Sequence, residues 1–459
     1  MPVLRNRYLV PLLTVAAFAL ALHAPGEISI DTGRQLHEAA TGLSMSWNPP
    51  FMSAWLRLLG GGMLATTLFI LINTLTTYVS FALLNCNLGK GRHLSKWRIT
   101  VSIFLVLNPL FFYYVGIVWK DVLIATFLIS CVTLLIVGVE CSGGKRLILL
   151  FGALLLASLL PLIRQQGALV APFFVVIAAC FLSKSDAASK KRKFVSFLSL
   201  IIASVVFSLA IGHVVHETIR GNNDTDYSRG FASVMLYDIT GITVEANARG
   251  QKLPIFISES LKENMIKDYT PERVDPLVNN KIIRSYIDPL PIGALARQWA
   301  DIVYHYPADY IAHRARVMSR LLGFVNLQQC VPIYDGKYVL AEDASTADGQ
   351  VSFDERARLL SRIELKMVDT PIFRNWFYVL LLGIASCMMF KVRRKELRWI
   401  GIASLGAGWV YFLSLVPTAI ACDVRYLYPV AILSTVSALI CINGVGGDKS
   451  EPDSLKSEP

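Results

Sequence analysis

The strongest constraint on this chain is the recurrence of apolar runs long enough to cross a bilayer. Windows near residues 8–24, 60–84, 99–117, 121–138, 147–162, 167–182, 195–213, 372–390, 399–416 and 426–443 are bounded by charges or turn residues. Each approaches the ~20 residues that a helix needs to span a hydrocarbon core about 30 Å thick. Of the 459 residues, 54% are hydrophobic and only 17% are charged, against roughly 25% charged in soluble domains. Such a chain cannot fold as ordinary water-soluble globules, and the spanning runs equally exclude a collagen, a disordered chain or a small disulfide scaffold. Backbone in hydrocarbon must satisfy its own hydrogen bonds, which a helix does within one segment. The expected fold is therefore an all-α polytopic membrane protein with about ten transmembrane helices.

A net charge of +11 would suggest nucleic acid in a soluble chain, but here the placement of charge matters more than its sum. With a cytoplasmic N-terminus, the inner segments hold Arg5 and Arg7, the cluster Lys90 to Arg98, Lys145 and Arg146, the run Lys190 to Lys193, and the run Lys391 to Arg398. The short outer segments hold only Arg34, Arg57, Lys120, Arg164 and Arg425. The positive-inside rule then places both termini in the cytoplasm. The basic start, short apolar run and small residues Ala19 and Ala21 also fit a cleavable signal peptide; either way the next loop lies outside.

Four regions follow: residues 1–213 with spans 1–7 and a first outer loop at 25–59, a large outer loop domain at 214–371, spans 8–10 at 372–443, and a disordered cytoplasmic tail at 444–459. The large loop mixes a turn signal at Gly221-Asn222-Asn223-Asp224 with helical periodicity from Ile292 to Trp299 and from Tyr310 to Leu322, which predicts a small helical extracytoplasmic domain between spans 7 and 8. No internal repeat is evident, which weakens a transporter built from two similar halves. Of the eight cysteines only Cys330 and Cys422 face outward. In an oxidising compartment they could form one disulfide tying the loop to the last outer turn; two free thiols are the blander expectation. No cysteine pair has C-x-x-C spacing and no histidine lies in an H-E-x-x-H pattern, so no metal ligands are assigned.

The informative residues are the polar ones at the outer membrane face, where charge is costly unless paired, hydrated or functional. The first outer loop carries Glu27, Asp31, Arg34, His37 and Glu38 and ends in Trp47-Asn48-Pro49-Pro50 before an amphipathic run from Phe51 to Leu59. The others are Trp119-Lys120-Asp121, Arg164-Gln165-Gln166 and Asp423-Val424-Arg425-Tyr426. Taken singly, each reads most simply as a snorkelling charge, an interfacial aromatic or a loop-ending proline pair. Taken together, Lys120, Arg164 and Arg425 oppose the positive-inside trend in nearly uncharged turns, and an outward cationic pocket with nearby carboxylates suits an anion, above all a phosphate.

These motifs resemble membrane glycosyltransferases of the GT-C fold that use polyprenyl-phosphate sugars, including the bacterial group that modifies surface polysaccharides such as the O-antigen of lipopolysaccharide. The resemblance rests on the acidic first loop, WNPP at 47–50, the Lys-Asp pair in IVWKDVLIA, Arg164-Gln165-Gln166, LYDITGI at 236–242, HYPADYIAHR at 305–314 and RYLYP at 425–429. Asn48 stands where relatives often have His, and Gln165 where Asn is common. The first loop has no Asp-Asp or Asp-x-Asp pair, so no cofactor is required and a divalent metal stays open. The resemblance implies an inverting transferase in a bacterial inner membrane, moving a sugar from a polyprenyl-phosphate donor to a glycan or lipid acceptor on the periplasmic face. A flippase and a donor-sugar synthase would be its partners, and nucleic acid would not. Such transfer needs a carboxylate to take the acceptor proton and positive charge where the phosphate leaves. Asp31 is the expected base, with Glu27 on the same face if the segment is helical. Lys120, Arg164 and Arg425 would hold the phosphate, oriented by Asp121 and Asp423. Gln165, Tyr426, Trp47, Asn48, His305 and Arg314 would support them. An O-antigen polymerase or ligase would instead depend on loop arginines such as Arg314, Arg316 or Arg320, and a lipid-sugar flippase on charges deep within the spans.

Overall fold

The computed structural model describes residues 2–46, 48–89, 95–183, 189–221, 229–251, 259–325, 330 and 333–445. Trp47, the turn residues after Gly221, and the tail from 446 onward lie outside the described residues. The chain is helical almost throughout. The first half comprises α1 (Pro2–His23), α2 (Ile30–Thr41), α3 (Phe51–Leu58), α4 (Gly62–Leu88), α5 (Lys96–Val106), α6 (Pro109–Tyr114), α7 (Lys120–Glu140), α8 (Gly143–Ile163), α9 (Gln165–Leu182) and α10 (Lys190–Thr218). Then come α11 (Arg229–Ala248), α12 (Glu259–Asp268), α13 (Asp275–Asn279), α14 (Lys281–Ile287), α15 (Ile292–His305), α16 (Pro307–Leu322) and α17 (Glu355–Met367). The last three helices are α18 (Asn375–Met389), α19 (Lys395–Leu415) and α20 (Tyr428–Gly444). Among the described residues, strands form two short pairs: parallel β1 (Leu43–Ser44) with β2 (Arg220–Gly221), and antiparallel β3 (Lys337–Tyr338) with β4 (Val351–Ser352).

Every apolar window of the sequence contains helix, and among the described residues seven helical segments are long and apolar enough to cross a membrane: α4, the α5–α6 pair, α7, α8, α9, α10 and Val424–Gly444. The apolar parts of α1 and α18 are shorter. The α5–α6 break follows from Asn108-Pro109. A residue before proline is pushed out of the α region, and Asn108 has ψ 124° while its side chain caps the new helix by accepting from the Leu110 amide at 2.9 Å.

Packing identifies α20 as the central helix, against α18, α19, α7, α5 and α4. In its apolar window 94% of residues are buried, against 6% for α10. On α10 the side chains of Phe194, Leu198, Ile202, Val206 and Leu209 are all exposed. An apolar stripe of that length is compatible with a hydrocarbon solvent. Around α20, α7 packs on α8 and α4, α8 on α9, α9 on α19, and α1 on α4.

The stretch between α10 and α18 is helical as its periodicity predicts: α15 and α16 cover the two expected segments, and α11 packs on both. Cys330 and Cys422 are disulfide-bonded, so the free-thiol expectation is corrected. The two cysteines are 92 residues apart in sequence, and only the fold brings their Cα atoms to bonding range.

Candidate functional site

Asp31 lies in the first turn of α2. The chain just before that helix is fixed by a ladder to the residues preceding α7. The Glu27 amide donates to the Gly116 carbonyl at 2.9 Å and the Val118 amide to the Glu27 carbonyl at 3.1 Å. Thr32 Oγ1 donates to the Val118 carbonyl at 2.7 Å, and Trp119 Nε1 to Ser29 Oγ at 2.8 Å. On the other side, Ile28 pairs with residues 336–338, its amide donating to the Gly336 carbonyl at 3.0 Å and its carbonyl accepting from the Tyr338 amide at 2.9 Å. Gly33 allows this close approach, since a Cβ there would lie 2.6 Å from Val339 Cγ1. Farther along, buried Glu38 holds the loop after α2, accepting from the Met45 and Ser46 amides at 2.8 Å each and from Ser53 Oγ.

Four segments far apart in sequence meet at this point. Arg425 Nη1 donates to Asp31 Oδ2 at 2.7 Å, and its Nε lies 3.3 Å from Asp423 Oδ2. The Arg425 guanidinium sits 4.8 Å from the Trp119 ring centroid and 5.5 Å from that of Tyr426. Arg164 pairs with Asp121 at the start of α7, and its Nε donates to Gln166 Oε1 at 3.0 Å. The Tyr426 ring lies 5.1 Å and the Tyr411 ring 6.0 Å from the Arg164 guanidinium, so Tyr426 stands between the two arginines. Lys120 Nζ donates to Asn48 Oδ1. Asp423 also faces Arg273 of the loop domain at 3.6 Å.

Arg164 reaches this place because the chain is extended there, at φ −154° and ψ 147°, between α8 and α9. The crossing is closed by Gly167, whose amide donates to the Arg164 carbonyl at 2.8 Å and whose added Cβ would lie 1.9 Å from the Leu160 carbonyl oxygen. Gly167→Ala should therefore lower thermal stability in detergent by about 1–3 kcal/mol, the usual penalty of overpacking. Gly152→Ala, where the nearest atom is an ordinary 3.5 Å away, should be tolerated. Equal melting temperatures for the two variants would contradict this reading of the crossing.

Electrostatically, the cluster combines Lys120, Arg164, Arg425 and Arg273 with Asp31, Asp121 and Asp423, and Glu38 also acts on Lys120. Partial withdrawal from water pushes the Asp31 carboxyl up, but Arg425, Lys120 and Arg164 outweigh it and hold Asp31 below the ordinary carboxylate range. Asp31 is thus an ionised acceptor at neutral pH. Glu27 is the opposite case. Burial raises it despite His23, whose Nδ1 lies 3.2 Å from Glu27 Oε1.

Asp31, Lys120, Arg164, Arg425, Asp121, Asp423, Tyr426 and Asn48 therefore come together. Glu27 does not share a helical face with Asp31, because it lies in the bridge to Ile117 before α2 begins at Ile30. Gln165 is exposed, and it is its neighbour Gln166 that holds Arg164. His305, at the exposed C-terminal turn of α15, pairs with Asp301 and takes no part. Arg314 is buried inside the loop domain on Asp238, with Nη2 to Oδ1 at 2.6 Å. Tyr411 was missed, since one tyrosine within an apolar helix carries no local signal of the partner it meets. An apolar groove along α18 and α19, lined by Leu322, Phe324, Trp376 and Trp409, shares no residue with the cluster.

No protein-family model matches the chain, and no curated protein sequence matches it.

Proposed function

We propose that the chain is an integral-membrane glycosyltransferase of GT-C type, which moves a sugar with inversion from a polyprenyl-phosphate donor to an envelope glycan or lipid on the periplasmic face of a bacterial inner membrane. The observation that carries this reading is the Asp31–Arg425 pair, which joins residues 394 positions apart within a cluster that also holds Lys120 and Arg164. A transferase for lipid phosphates needs an ionised carboxylate beside clustered cations, next to an apolar surface for the lipid chain. The guanidinium of Arg425 uses Nη1 and Nε toward Asp31 and Asp423. Its five N–H donors leave it able to take an anion while keeping these partners. The clustered cations suit a phosphodiester, and they would stabilise the leaving phosphate as the glycosidic bond breaks. Asp31 would take the acceptor hydroxyl proton as that oxygen attacks the anomeric carbon.

The polymerase reading is less well supported. The loop arginines on which it depends are matched one to one by acids: Arg314 by Asp238, Arg316 by Glu245 at 2.9 Å, and Arg320 by Glu272 at 2.8 Å. Deleting the chain in its host and comparing surface glycans tests the proposal. Loss of one side residue, restored by the parent chain and by Arg316→Ala but not by Asp31→Asn, is expected. A lost polymer ladder, or rescue by Asp31→Asn, would overturn it.

The proposed topology of about ten spans has a separate test. Reporter fusions at Gly89, Asp186 and Ser450 should read as cytoplasmic and a fusion near Gly349 as outside, because the inner segments carry the basic excess. A periplasmic signal at Asp186 would refute this orientation.

A further inference from the structure

The segment that delivers Arg425 to the cluster is not held by the membrane helices alone. Residues 419–423, between α19 and α20, lie against residues 272–274 of the loop domain as a short backbone ladder. The Val274 amide donates to the Ile420 carbonyl at 2.8 Å, the Cys422 amide donates to the Glu272 carbonyl at 2.8 Å, and Arg273 bridges antiparallel to Ala421. Two arginines of α16 stabilise both sides of this ladder. Arg320 Nε holds the Glu272 carboxylate at 2.8 Å. Arg314 Nη1 donates to the Ala419 carbonyl at 2.8 Å.

Arg314 is itself fixed from behind. Its Nη2 meets Asp238 Oδ1 at 2.6 Å, and Asp238 is further bound by Trp299 Nε1 at 2.8 Å and faced by His313 Nε2 at 3.2 Å. Tyr269, against His313 Nδ1 at 2.9 Å, completes the shell. Asp238 and His313 are fully buried and Arg314 nearly so. A charge this deep is expensive unless paired and hydrogen-bonded. Asp238 supplies the opposite charge, and the Nη1 donor goes to a carbonyl outside the loop domain's own helices.

We infer that Arg314 is a positioning residue for Arg425: anchored on Asp238, it fixes the backbone of residues 419–423 and so sets where the Arg425 guanidinium stands against Asp31. Arg314 touches no member of the ionic cluster directly. It acts through the backbone ladder, alongside the Cys330–Cys422 bond and the Arg273–Asp423 pair. The positional claim is independent of the proposed function, while its consequence for ligand binding rests on the reading of Arg425 as an anion-binding residue.

The test uses the full-length protein in detergent, as parent, Arg314→Gln, Arg314→Lys and Arg425→Ala, plus the double variant Arg314→Gln/Arg425→Ala. Two readouts are taken: hydrogen exchange of the amides at 420–427, and affinity for farnesyl phosphate by calorimetry. Removing a charged hydrogen bond to a buried carbonyl should speed exchange at Cys422 and its neighbours roughly tenfold or more, with α7 and α20 unchanged. Arg314→Lys, which keeps the charge but not the fork, should fall between parent and Gln. Farnesyl phosphate should bind Arg314→Gln roughly tenfold more weakly than the parent, and the double variant no more weakly than Arg425→Ala alone. Unchanged exchange at 420–427 in both Arg314 variants would overturn the inference. So would additive losses in the double variant, which mean that Arg314 acts apart from Arg425. If Arg314→Gln fails to fold, Arg314→Lys carries the same comparison. A parent protein that does not bind farnesyl phosphate would count against the proposed function, and the exchange measurement would still decide the positioning role.

Discussion

On the proposed function, Asp31→Asn should leave a well-inserted protein that transfers sugar ~10²-fold more slowly or worse, since a positioned general base contributes at least that much. The substitution keeps the shape of the side chain and its place in the first turn of α2, and it can still accept one hydrogen bond from Arg425. It removes the basicity and the negative charge. Arg425 retains Asp423 at 3.3 Å, so the guanidinium is not stranded and donor phosphate should still bind. A rate assay paired with donor binding therefore separates chemistry from recognition, and near-parent turnover by Asp31→Asn would end the assignment. A pH dependence follows from the same contacts. Because Arg425, Lys120 and Arg164 outweigh burial and hold Asp31 below its ordinary value, its pairing contributes stability above the unfolded-state pKa of about 3.9, and this is lost as pH falls through the lower folded-state value. The stability gap between parent and Asp31→Asn should accordingly shrink as the pH falls below about 4.

Asp121→Ala should be the most destabilising change in the cluster. Arg164 and Asp121 are both almost wholly buried, and removing one partner of a buried pair typically costs about 3–5 kcal/mol because the other charge stays unpaired in a poor solvent. Thermal unfolding in detergent should show a large drop for Asp121→Ala and a smaller one for the charge-free pair Asp121→Asn/Arg164→Gln. A double variant as unstable as the single would show that the ion pair itself, and not the orphaned charge, is what matters. In Asp31, by contrast, the side chain is 38% exposed, so water can take over part of the pairing.

Which parts of this molecule can be read from its sequence depends on the range of the interaction. Apolar windows and helical periodicity are local, and every one of them contains helix, including α15, α16 and the amphipathic α3. The meeting of Asp31, Lys120, Arg164 and Arg425 was legible for a different reason: sidedness in a membrane reduces the search to one plane, and charges in that plane are few. What was not legible depends on single backbone details. Glu27 appeared one helical turn before Asp31, but the bridge to Ile117 replaces that turn. The sequence assigns the supporting amide to Gln165, and the direction in which α9 begins gives that place to Gln166. Arg314 looked like a companion of the outer cations, but its partner Asp238 draws it into the loop domain.

Asp31 leaves the ribosome 394 residues before Arg425, which at about 5–20 residues per second is a wait of about 20–80 s. During that time Lys120 can already reach Asn48, and Arg164 can reach Asp121, since all four residues lie within the first 164 positions. The carboxylate that completes the cluster lacks its hydrogen-bonded partner until Arg425 is made, and the Cys330–Cys422 bond must wait for the same segment. A nascent or prematurely ended chain thus has Arg164 already paired with Asp121 and Lys120 already held by Asn48, and cannot display a finished site. Completion of the site is in this sense a record that the whole polypeptide has been synthesised and threaded.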